Sequence, residues 1–223
     1  MARTDVAPRA ALWDADGVLQ HGVPSWPGVF ADVVGKDVDA FAAAVWADLD
    51  AALAGDLDMA AHVEEVIAEQ GLSDQRAAIL DFWGRIEPLP RTRELVTAVR
   101  AAGVPCYLAT NQDNLRASYM RRLLGYDELL DGAYYSCEVG AAKPEAAYFL
   151  HIADDLGVAP RELVFVDDAP VNVDAAAEIG VAASTFTGES STNTSSRGVT
   201  PRSSALCRKE GAAGLAAPTS QEE

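Results

Sequence analysis

The stretch "ALWDADGVLQ", residues 11–20, decides how this chain is read: an apolar run ends in Asp14 and Asp16 and then turns at Gly17. Residues two apart on a strand point to the same face. Two carboxylates side by side repel each other, so a fold tolerates them best around a cation or a reaction. The run from Arg9 to Trp13 therefore reads as a strand that delivers a pair of acids at its carboxyl end.

Working outward, short β-rich runs alternate with helical patterns. "VPCYLATN" (104–111) reads as a second strand, after a helix from Thr92 to Arg100 that stops at Gly103. "AYYSC" (133–137), "LVFVDD" (163–168) and "VAASTF" (181–186) read as the third, fourth and fifth. The helices between them carry Leu115, Tyr119 and Leu123 on one face, and Tyr148, Ile152 and Leu156 on another. Pro144 suits a first helical position, and Gly125, Gly157 and Gly180 suit helix ends. This alternation predicts an α/β protein, a Rossmann-like parallel sheet flanked by helices.

Residues 21–88 differ in character. Val38, Phe41, Val45, Leu49 and Leu53 fall at helical spacing, as do Val63, Val66 and Ile67, and Ser73 suits the cap of a further helix with Leu80 and Phe82. This segment is expected to be a small helical domain, a cap, inserted after the first strand into a core of residues 1–20 and 89–187. Residues 188–223 are rich in Ser, Thr, Gly, Ala and Pro without an apolar period, and are expected to be a disordered tail.

Composition bounds the function. The formal net charge of −17 over 223 residues argues against nucleic acid and anionic membranes as partners, since both need a basic surface. Cys106, Cys137 and Cys207 are odd in number and form no metal-ligand spacing with His21, His62 or His151. With no signal peptide or membrane span in the sequence, a reduced, cytoplasmic protein is expected. His21 reads as a surface residue or a substrate contact, Trp13, Trp46 and Trp83 as core or domain-interface residues, and Cys106 as inert packing.

Four polar clusters sit where strands end: Asp14 with Asp16, Thr110 with Asn111, Lys143 before a helix, and Asp167 with Asp168. Ligands of open parallel sheets bind outside the carboxyl ends of the strands, so these clusters can converge on one crevice. Oxygen-only ligands there suit Mg²⁺. A carboxylate nucleophile, a hydroxyl donor, a lysine and Mg²⁺ are what phosphoryl transfer through an aspartyl-phosphate needs.

"DADGV", "LATN", "AAKPEAAYF" and "FVDDAPVNVDAA", in this order, resemble the four motifs of the haloacid dehalogenase superfamily. The wording looks most like its capped branch of small-sugar-phosphate and epoxide-hydrolase-type phosphatases, although Ala142 stands where that branch often has Arg. The resemblance implies an Mg²⁺-dependent hydrolase of a small phosphorylated metabolite. Asp14 would be the nucleophile, and Asp16 the acid that protonates the leaving oxygen and then the base that activates water. Asp14 and Asp168 would bind Mg²⁺ by side chain, Asp16 through its carbonyl, and Asp167 directly or through water. Thr110, Asn111 and Lys143 would hold the phosphoryl group, with Lys143 steadying Asp14 and Asn172 bracing the last loop. The second aspartate, Asp16, argues against dehalogenation. Three alternatives remain: a phosphomutase of the β-phosphoglucomutase type, a receiver domain, whose motif order disagrees, and a catalytically silent binding protein.

Overall fold

The computed structural model describes residues 7–21 and 26–187. The proposed tail, residues 188–223 with Cys207, lies outside them. Five strands form one sheet in the order β3-β2-β1-β4-β5, with every pairing parallel. They are β1 (Ala10–Trp13), β2 (Cys106–Thr110), β3 (Gly132–Tyr135), β4 (Leu163–Asp167) and β5 (Ala182–Thr185). All four residues of β1 are buried, as expected for the central strand of a sheet covered on both faces. Pleating sends Ala11 and Trp13 into a cluster with Val96, Leu108 and Met120, while Ala10 and Leu12 join Phe149, Ile152 and Phe165 on the opposite face.

Trp13 pairs in register with Leu108 of β2 and Val166 of β4. The residues that follow β1, β2 and β4 therefore emerge along one edge. The chain runs from β1 outward to β2 and β3, then crosses back to β4 and β5. The order reverses beside β1, and there the carboxyl edge opens a crevice.

Between β1 and the helix Pro90–Ala101 that leads into β2, the described chain forms the helices Trp26–Val34, Val38–Val45, Leu49–Leu53, Met59–Glu69 and Arg76–Asp81. These helices enclose a third apolar cluster of Phe30, Phe41, Val45, Met59, Val63, Val66, Ile79, Phe82 and Trp83. Entry and exit of the insert are tied together, because His21 N–H donates to the Glu87 carbonyl and Leu89 N–H to that of Leu19, each at 2.8 Å. His21 itself is exposed.

Four local expectations need correction. The third strand stops at Tyr135, and Ser136–Val139 is a helical turn. Its cause is Ser136, whose hydroxyl accepts the Gln112 N–H at 3.0 Å and donates to the Gln112 carbonyl at 3.3 Å. Ser73 makes no cap bond and opens a 3-10 turn, so the helix begins only at Arg76. Pro144 precedes a helix that starts at Ala146 with Glu145 as its N-cap. In helix Asn114–Leu123, Leu115 and Tyr119 pack on the insert's cluster, but Leu123 is 58% exposed. The face toward the sheet carries Arg116, Ala117 and Met120 instead. Among the described residues, no helix is long and apolar enough to cross a membrane.

Candidate active site

The crevice is a cavity of about 330 Å³ lined by Asp14, Asp16, Gly17, Thr110, Asn111, Lys143, Asp167, Asp168, Ala169 and Asn172. Every polar cluster read from the sequence thus reaches one place. Asp14 leaves β1 with its N–H bonded to the Val166 carbonyl at 2.9 Å, which fixes its backbone against β4. Carboxylate oxygens of Asp14, Asp167 and Asp168 lie within 4.8 Å of one another. A trio of hard oxygens at this spacing can hold a divalent cation. The carboxylate of Asp16 is not one of the three.

Lys143 binds this acid cluster from below. Its ammonium donates to Asp14 Oδ1 and to Asp167 Oδ2, both at 2.7 Å, and is itself buried. Burial opposes the lysine's charge, but Asp14 and Asp167 outweigh it and hold the pKa above its ordinary value. Burial pushes the Asp14 carboxyl up to about 6, against the pull of Lys143 and helped by repulsion from Asp167. Asp168, more exposed, is also raised by burial and by Asp167.

Asp167 is braced on both oxygens: Oδ1 accepts from Ala169 N–H at 2.8 Å, and Oδ2 from Lys143 and from Asn172 Nδ2 at 3.0 Å. A carboxylate oxygen has two acceptor directions, so Oδ2 is full and Oδ1 keeps one. This leaves Asp167 room for one cation or water contact.

Asn111 was expected to contact a phosphoryl group. Both ends of its side-chain amide are engaged with the Lys143 main chain, Nδ2 to the carbonyl at 2.7 Å and Oδ1 from the N–H at 2.8 Å. These bonds fix the lysine and use one of the two Nδ2 hydrogens, so Asn111, which lines the crevice, keeps a second to donate to a ligand. Thr110 accepts a bond from Gln112 Nε2 at 3.2 Å, which leaves the hydroxyl proton to donate elsewhere.

Asp16 has a setting that sequence reading missed. Its Oδ1 accepts from Gln20 Nε2 at 2.9 Å and from Arg116 Nη2 at 2.9 Å, and its Oδ2 from Gln112 Nε2 at 2.7 Å. Gln20, Gln112 and Arg116 are all buried. Polar residues in otherwise apolar contexts were the available signal: Gln20 just after "DGVL", and Arg116 on the sheet-facing side of its helix.

Gly17 is required by the same crowding. Its φ is +82°, and a Cβ there would lie 2.2 Å from Asp168 Oδ2.

The parallel sheet and the acid-rich cleft at its carboxyl edge define an α/β enzyme fold. A model of the haloacid dehalogenase-like hydrolases matches residues 8–180, and the chain belongs to that family. It is 28% identical over 193 residues to a phosphoglycolate phosphatase of Pseudomonas putida, covering 78% of this chain and 67% of that one. It is also 28% identical over 109 residues to the sesquiterpene phosphatase astK of Aspergillus oryzae, covering 49% of this chain and 56% of the relative, so it spans little more than half of that protein. Among solved structures, a HAD family enzyme of Bacteroides thetaiotaomicron in complex with magnesium and inorganic phosphate superposes with a TM-score of 0.70 at 19% identity, covering 84% and 98% of the two chains.

Proposed function

We propose that this protein is a Mg²⁺-dependent phosphatase of small phosphomonoesters. The carrying observation is the convergence of Asp14, Asp167 and Asp168 on one spot, with Lys143 bonded to two of them. The site's charges support a divalent ion: with Asp14, Asp167 and Asp168 ionised, Lys143 offsets one of three negative charges. The named phosphatases among the relatives support the same chemistry. A bound Mg²⁺ would be held by Asp14 and Asp168, with Asp167 directly or through water, and would offset charge on the phosphoryl oxygens.

In this reading a carboxylate oxygen of Asp14 attacks phosphorus while the ester P–O bond breaks. Asp16 gives its proton to the leaving oxygen. Thr110 and Lys143 donate to the phosphoryl oxygens, and Asn111 holds Lys143 in place. Water, deprotonated by Asp16, then attacks the aspartyl-phosphate, so phosphate is released and both aspartates return to their starting forms. Residues 21–88 act as a cap over the core of residues 1–20 and 89–187, and read the leaving group.

The deciding test is phosphate release from sugar phosphates, nucleotides and phosphoglycolate, with Mg²⁺ and with EDTA. Release that needs Mg²⁺ is expected; full release in chelator removes the metal from the mechanism.

Two further outcomes follow from the geometry. Because burial holds the Asp14 carboxyl near 6, a proton competes with the cation below that pH. Mg²⁺ affinity by calorimetry is therefore expected to be level above about pH 7 and to fall by about tenfold per unit well below 6. A flat profile from pH 5 to 8 would remove Asp14 from the ligand set. Gly17→Ala puts a methyl group against Asp168 at a backbone φ of +82° and should weaken Mg²⁺ binding about 10–100-fold; an unaltered affinity would show that the placement of Asp168 does not depend on Gly17.

A further inference from the structure

We propose that Arg116, assisted by Gln112, is a positioning residue that aims the Asp16 carboxylate at the leaving-group oxygen. This rests on the reading of Asp16 as the proton donor. The Arg116 side chain is 5% exposed and that of Asp16 is 35% exposed, so the guanidinium reaches the carboxylate from inside the fold. Its Nη2 donates to Asp16 Oδ1, while Nη1 is buried without a hydrogen-bond partner among the described residues. A buried cation with an unmet donor is a poor device for stability, where an apolar side chain of similar shape does as well or better. The guanidinium also offsets the charge of buried Asp113, but the side-chain hydrogen bond it makes goes to Asp16.

The hold is directional. Gln20 and Arg116 fill both acceptor directions of Oδ1, and Gln112 fills one of Oδ2. The remaining direction on Oδ2 is where a proton can sit and pass to the ester oxygen as the P–O bond breaks. Gln112 cannot drift, because its main chain is bonded twice to the Ser136 hydroxyl. The helix that bears Arg116 is fixed from its other side. Asn114 accepts from Met59 N–H at 2.9 Å and donates to Asp58 Oδ1 at 2.7 Å, and Leu115 and Tyr119 lie in the insert's apolar cluster. One helix therefore grips the insert on one face and the acid on another.

The experiment compares turnover of an alkyl ester, β-glycerophosphate, with that of p-nitrophenyl phosphate, whose leaving group needs little protonation. Asp16→Ala sets the scale for losing the acid, a factor of roughly 10²–10⁴ on the alkyl ester. Arg116→Met and Gln112→Leu are expected to lower the alkyl/aryl rate ratio by about tenfold or more, as a misplaced acid does. Arg116→Lys should recover part of it, and adding Arg116→Met to Asp16→Ala should leave the ratio where Asp16→Ala puts it. A wild-type ratio in Arg116→Met, while Asp16→Ala lowers it, overturns the positioning role and leaves Asp16 as the acid. An unaltered ratio in Asp16→Ala overturns the reading of Asp16 itself. Where far-UV circular dichroism shows Arg116→Met unfolded, the Gln112→Leu ratio decides by the same criterion.

Discussion

Asp14→Asn is expected to abolish phosphate release, by a factor on the order of 10³ or more, without loss of the fold. The amide keeps the shape of the side chain but is a very poor nucleophile and a weaker cation ligand. The effect on stability has the opposite sign. Asp14 is buried, and even with Lys143 beside it the carboxyl is raised from 3.8 to about 6. The folded protein thus binds more protons than the unfolded chain between those values, so stability falls as pH rises through about 4 to 6. Above that window ionised Asp14 is a standing cost, which a neutral amide avoids. In EDTA at pH 8 the Asp14→Asn midpoint should equal or exceed that of the wild type, and Mg²⁺ should raise it less. A variant that retains more than a few per cent of wild-type release, or a midpoint lowered by several degrees, would contradict these roles.

This opposition between chemistry and stability explains which parts of the molecule the sequence made legible. β1 is readable because a central parallel strand must be apolar on both faces, and Asp14 stands out as the first charged residue at the end of that apolar run. The same holds for Asp167 at the end of β4 and for Thr110 at the end of β2. In "AYYSC" the two tyrosines carry the β character, and nothing local marks the end of the strand after Tyr135. What stops it is a hydroxyl bonded to a loop 24 residues away, a contact that no local pattern encodes.

The surroundings of Asp16 were illegible for a related reason. Gln112 and Arg116 come from one stretch about a hundred residues from Asp16, and no local pattern shows that they and Gln20 meet on one carboxylate. Leu115, Arg116 and Tyr119 show the difficulty most clearly. The helical period marks Leu115 and Tyr119 as a core-facing row, yet that row faces the insert, while the charged Arg116 turns toward the sheet. Helical periodicity finds an apolar face but not which of two neighbours it meets, and here both sides of the helix are occupied.

Lys143→Met is expected to cost both stability and activity. Lys143 is buried and bonded at 2.7 Å to Asp14 and to Asp167, the latter fully enclosed. Its ammonium also lies 5.3 Å from the centre of the Phe165 ring, so little water can replace it. Removing one partner of a buried ion pair typically costs about 3–5 kcal/mol, because the remaining charges stay desolvated. At about 2–4 °C per kcal/mol for a protein of this size, the midpoint in EDTA should fall by roughly 6–20 °C at pH 8. The loss should shrink at pH 5, where the stranded carboxylates can take up protons, and Mg²⁺ should stabilise the variant more than the wild type by supplying the missing positive charge. Turnover should drop about 10²–10³-fold, as when a preorganised donor to a charged transition state is lost. Lys143→Arg should not restore it, since a planar guanidinium cannot reproduce a compact ammonium between two carboxylates. A midpoint within a degree or two of wild type at pH 8 in EDTA would mean that the two aspartates do not depend on the lysine, and the charge balance drawn for this site would fail.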